Sequence, residues 1–141
     1  MKAQTTLSKL RPSLALIAIF SLCAAASAQA GFNSFRPVGI TFGQTARVTA
    51  ANTGTRAIII SGTFLDSEGT VLAQFDSQVI EPGKMMSFDL NADDIVRENN
   101  RIQIRGVIEG PEPHLRGAAI SVEVFNNADG KTTVFVWNPG D

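Results

Sequence analysis

Residues 121–137 read SVEVFNNADGKTTVFVW, two alternating apolar runs joined by Asn126-Asn127-Ala128-Asp129-Gly130. Asp-Gly between two period-two segments is a strong hairpin signal, because both residue types tolerate the positive φ that tight hairpin turns require. The second run is apolar on both faces, with Val134 and Val136 on one and Phe135 and Trp137 on the other. Such a strand either lies in the middle of a sheet or turns one face toward a partner.

The same rhythm extends back to Phe35. Short alternating runs at 37–42, 45–51, 56–65, 70–80, 85–90, 101–109, 118–125 and 131–137 predict eight strands. Ala46, Val48 and Ala50 share one face of the second, Ile58, Ile60 and Phe64 one face of the third, and Met86, Phe88 and Leu90 one face of the fifth. Ile59, on the opposite face, marks the third as central. Asn52-Thr53-Gly54, Asp66-Ser67-Glu68-Gly69 and Glu81-Pro82-Gly83-Lys84 supply turns. Asn91 ahead of Ala-Asp-Asp-Ile reads as the cap of a short helical turn. Residues 110–117, with two prolines, are expected to form the longest irregular connection after that segment. The fold class that follows is all-β, an antiparallel immunoglobulin-like β-sandwich of seven to eight strands.

The N-terminus carries an address. Lys2, Lys9 and Arg11 precede an uncharged apolar run from Leu14 to Ala26, and small residues follow at Ala26, Ala28 and Ala30. This three-part pattern is that of a secretory signal peptide, residues 1–30, with cleavage after Ala28 or Ala30. The run falls short of the roughly 20 apolar residues of a spanning helix, so no membrane anchor is expected once it is removed. Residues 31–141 then form one domain, secreted or periplasmic. Cys23, the only cysteine, leaves with the signal, so the exported chain has neither a disulfide nor a thiol nucleophile. Three of the 12 Lys and Arg leave too, and 9 against 13 acids gives −4. That balance argues against nucleic acid, which needs a basic face.

GITFGQTA, residues 39–46, has the look of a phosphate loop, but its requirements fail. Three residues rather than four separate Gly39 from Gly43, Gln44 stands where a lysine belongs, and a strand follows instead of a helix. His114, the only histidine, is the one residue around which a hydrolase could be built. If successive strands alternate in direction, one end of the domain collects Asp66, Glu68, Asp93, Asp94, Glu98 and Asp129. They form a candidate oxygen cage for Ca²⁺ in a calcium-dependent adhesion or glycan-binding domain. Asp and Asn are also the ordinary residues of turns. The other end gathers Arg56, Lys84, His114 and Arg116 beside Glu81 and Glu112, and a binding loop at 110–117 is expected there.

GITFGQTARVTAANTGT, LDSEGTVL, IEPGKMMSFDLN and SVEVFNNADGKTTVFV together resemble small exported bacterial proteins with an immunoglobulin-like sandwich and no assigned activity. The resemblance spans about residues 35–138. It implies the fold and export, and it supplies no catalytic residues. The expectation is a non-enzymatic structural or binding module without a cofactor, acting on a protein or cell-surface partner. Self-association through Lys131–Trp137 is a further expectation, since a β-prone run without proline invites pairing when it lies on a sheet edge.

Overall fold

The computed structural model describes residues 30–138, so the expected signal segment lies outside the described residues apart from Ala30. Nine segments are extended: β1 (Ala30–Ser34), β2 (Val38–Thr41), β3 (Gln44–Asn52), β4 (Ile58–Asp66), β5 (Val71–Ile80), β6 (Met85–Asn91), β7 (Arg101–Pro111), β8 (Ala118–Asn126) and β9 (Thr132–Asn138). The helical content described is one 3₁₀ turn (Ala92–Asp94) and one α-helical turn, α1 (Glu112–Leu115). All pairings are antiparallel and fall into two sheets, ordered β1/β2-β7-β4-β5 and β6-β3-β8-β9. β1 and β2 lie end to end along one side of β7, so nine segments fill eight strand positions.

Alternation places the core. Ala46, Val48 and Ala50 of β3 and Ile120, Val122 and Val124 of β8 face Ile58, Ile60 and Phe64 of β4 and Ile104 and Ile108 of β7, all buried. Each residue facing in is followed by one facing out, so burial of one face fixes the register of every strand. Phe75 stacks at the β5 border, 5.0 Å from Phe88 and 6.1 Å from Phe64 between ring centroids. Such aromatic pairs add to stability beyond the area they bury.

The eight anticipated strands are present, within a residue or two at most ends. Asn91 caps the 3₁₀ turn, its side chain accepting from the Asp93 amide. Two features differ, and the expected central place of the third strand is met with a qualification. β1 was not anticipated, because AGFNS lacks the β-branched alternation that marks a strand. Residues 110–117 are not an irregular loop, since β7 runs to Pro111 and α1 follows, anchored by buried Leu115. Ile59 lies on a central strand, between β7 and β5, yet its side chain is 42% exposed. Centrality within a sheet covers a strand's edges and leaves its outer face to the solvent.

Candidate functional site

The turns order the two ends of the sandwich. At one end the backbone of 52–54 is laced to the neighbouring segments. The Asn52 amide donates to the Lys84 carbonyl at 2.9 Å, Gly83 donates to the Asn52 carbonyl at 2.9 Å, and Thr53 donates to the Gly117 carbonyl at 2.9 Å. The Asn52 side chain, 1% exposed, completes the knot. Its Nδ2 donates to the carbonyls of Arg56 and Ile80, each at 2.8 Å, and its Oδ1 accepts from the Gly54 amide at 3.0 Å. A buried amide with every group engaged is a structural staple.

Around this staple sit the five expected binding residues, only partly converging. His114 and Arg56 line a depression of about 300 Å³ with Gly54, Ala57 and Gly117. His114 Nδ1 accepts from the Ile59 amide at 3.0 Å, so the neutral ring carries its proton on Nε2. Arg116 and Glu112 turn toward each other, one helical turn apart, in an exposed ion pair at 2.9 Å. Lys84 joins through its backbone, and its side chain is not among the groups lining the depression. Beside this end, exposed Ile59 and Val79 are paired residues on β4 and β5, an apolar spot that alternation alone did not single out.

The acidic end is a set of turn clasps. Asp66 Oδ1 accepts from the amides of Glu68 at 2.9 Å and Thr70 at 2.7 Å, and Asp129 accepts from the Lys131 amide at 3.1 Å. Asp93 accepts from the Gly43 amide and from Asn127 Nδ2, and Asn127 donates its own amide to the Gly43 carbonyl. Glu68, Asp94 and Glu98 are exposed. Among the described residues no three Asp, Glu, His or Cys side chains form a group able to hold a metal. Gly43, at φ 81, therefore serves the β2–β3 turn of GITFGQTA, locked by Asp93 and Asn127.

The outer face of the β6-β3-β8-β9 sheet is the third surface. Register aligns Asp89, Arg47, Glu123 and Phe135 in one row and Ser87, Thr49, Ser121 and Trp137 in the next. Arg47 binds Asp89 through two hydrogen bonds of 2.7 Å and lies 5.0 Å from the centre of the Phe125 ring. Those hydrogen bonds raise the Arg47 guanidinium above its ordinary range. Partial burial opposes them, and the charges of Asp89 and Glu123 add to them. An upward shift on arginine is stabilising at all pH values below its unfolded titration and is lost only in strong alkali. Phe135 and Trp137 end these rows 63% and 61% exposed, on a strand that has, among the described residues, a neighbour on one side only.

No helix of the described residues is long and apolar enough to cross a membrane. Comparison with protein-family models, with curated proteins and with solved structures finds no match to this chain.

Proposed function

We propose that the chain is an exported, non-enzymatic immunoglobulin-like module that binds an extended segment of protein along β9. The observation that carries this reading is the open edge of β9, whose outer face bears the exposed Phe135 and Trp137. Edge strands offer unpaired amides and carbonyls to an added strand, and alternate side chains give it specificity. Export is supported by the basic, apolar and small-residue pattern of residues 2–30. The immunoglobulin-like description is supported by β3 beside β6 and β4 beside β7, the neighbours that strands B and E, and C and F, make in that fold. β8 departs from it by joining β3 rather than β7.

A hydrolytic role for His114 has less support, since its Nδ1 is already taken by a backbone amide. The calcium reading has less as well, because Asp66, Asp93 and Asp129 each serve a neighbouring backbone amide. Millimolar Ca²⁺ is expected to leave the melting temperature unchanged. A rise reversed by chelation would return the acidic end to consideration, since binding to the native state alone stabilises it.

Strand addition is tested with a capped peptide alternating valine and threonine, titrated while the emission of Trp137, the only tryptophan, is followed. The expected result is a saturable blue shift with a Kd on the order of 100 µM, about −5.5 kcal/mol. Phe135→Lys is expected to weaken binding about tenfold, a change of ~1.4 kcal/mol, while leaving the melting temperature alone because the side chain is exposed. Equal binding by wild type and Phe135→Lys would sink the proposal.

A further inference from the structure

We infer that the strand which adds to β9 is the β9 of a second copy, so that two sandwiches join edge to edge about a two-fold axis. This rests on the strand-addition reading above and narrows it to one partner. The four sheet edges are not alike. β1/β2 is interrupted between Ser34 and Val38, with Pro37 in the gap. β5 carries two register irregularities against β4 and an acidic residue, Asp76. β6 has Asp89, tied to Arg47, and it touches β5. These are the devices that blunt an edge: breaks, bulges, charges and cover. β9, Thr-Thr-Val-Phe-Val-Trp-Asn, contains no proline and no charge, and its one irregularity lies at its start, opposite Val124 and Phe125.

The strand is also complementary to itself. Centred on Phe135, an antiparallel copy gives every residue of Thr132–Asn138 a partner. Phe135 meets its own equivalent, Trp137 meets Thr133, and Val134 meets Val136. Aromatic meets aromatic or β-branched on the outer face, and apolar meets apolar on the inner one. These are favourable cross-strand pairs, and no like charges face each other. Val134 and Val136 are only half-buried within one copy, so the inner face gains cover as well.

The area suits a reversible dimer. A buried Phe or Trp covers about 150–250 Å²; at 63% and 61% exposure, two copies therefore offer roughly 400–600 Å² of aromatic surface. With the valines and backbone edges the total is at most about 1,000 Å², in the range of weak, reversible interfaces. The isologous contact closes on itself, giving a dimer with one continuous eight-stranded sheet and no filament.

Sedimentation velocity on the product of the full chain is expected to show a monomer–dimer equilibrium with a Kd on the order of 10 µM. Trp137 emission should shift red on dilution, and Phe135→Lys should be monomeric at every concentration, with the melting temperature that the wild type shows when dilute. The register is read by disulfide trapping in a Cys23→Ala background. Val134→Cys mixed with Val136→Cys should cross-link, and neither should do so alone, because directly opposed positions meet disulfide geometry. A chain that stays monomeric yet binds the valine–threonine peptide overturns the second-copy inference and leaves strand addition standing. A monomer that binds no peptide overturns both. A dimer that persists in Phe135→Lys, or cross-linking by Val134→Cys alone, overturns this edge or this register.

Discussion

Asn52→Leu should lower the stability of the domain by about 3 kcal/mol, since each buried polar group left without a partner costs ~1–3 kcal/mol. The side chain is close in size, so little of that loss comes from volume. It comes from three backbone groups that Asn52 serves alone among side chains: the carbonyls of Arg56 and Ile80 and the amide of Gly54. The Ile80 carbonyl lies in buried surroundings, and leaving it unpaired carries the largest share. For a domain of this size the melting temperature should fall by about 10–15 °C. Asn52→Asp tests the same knot differently, because it replaces a donor by an acceptor facing two carbonyls. It should cost at least as much at neutral pH as leucine does. Thermal unfolding of the two variants decides the matter, and a loss below about 1 kcal/mol in both would show that the knot is not the staple described.

Gly106→Val is the second large effect, about 3 kcal/mol, from overpacking rather than lost hydrogen bonds. Gly106 lies on β7 opposite Phe64, and a Cβ built there would fall 2.7 Å from Val48 Cγ2 on the facing sheet. Valine side chains are stiff at χ1, so the neighbour has little freedom to turn aside. Val122 and Phe64 stand 3.8 Å away and close the other exits. Gly106→Ala should cost less, about 1–2 kcal/mol, and the double variant Gly106→Ala, Val48→Ala should cost less than the sum of its parts. Strict additivity in that cycle would mean that the two positions do not compete for the same space.

The strands were legible because burying one face of a sheet imposes period two on the sequence, and Asp129-Gly130 marked the last hairpin in the same local way. Gly130 indeed sits at φ 69. β1 was illegible because Gly31, Asn33 and Ser34 carry no such pattern, and its strand state comes from pairing with Val107–Pro111. Grouping the turns into two ends by alternating strand direction brought 52–55, 81–84 and 110–117 together, as their hydrogen bonds show. What it lacked was which side chains turn inward: Arg116 and Glu112 satisfy each other, and Asp93 is taken by Gly43 and Asn127. Asn52 was legible as a turn residue, and its bond to Gly54 is the local half of that role. The other half depends on Ile80, brought near only by the packing of two sheets. The apolar character of both faces of β9 was plain in the sequence. That it ends a sheet is a property of strand order, which no single strand records.

The pairing of β7 has a consequence for how the chain acquires its shape. Ala30 is matched to Pro111 and Thr41 to Arg101, while Gln44 waits for Asn126. β1 and β2 therefore have no ladder partner until β7, residues 101–111, has been made, and β3 has none until β6, residues 85–91. Contacts so distant in sequence close slowly. In a chain that emerges amino end first, the β4–β5 hairpin can close early, and the two sheets are completed only when the late strands arrive to receive the early ones.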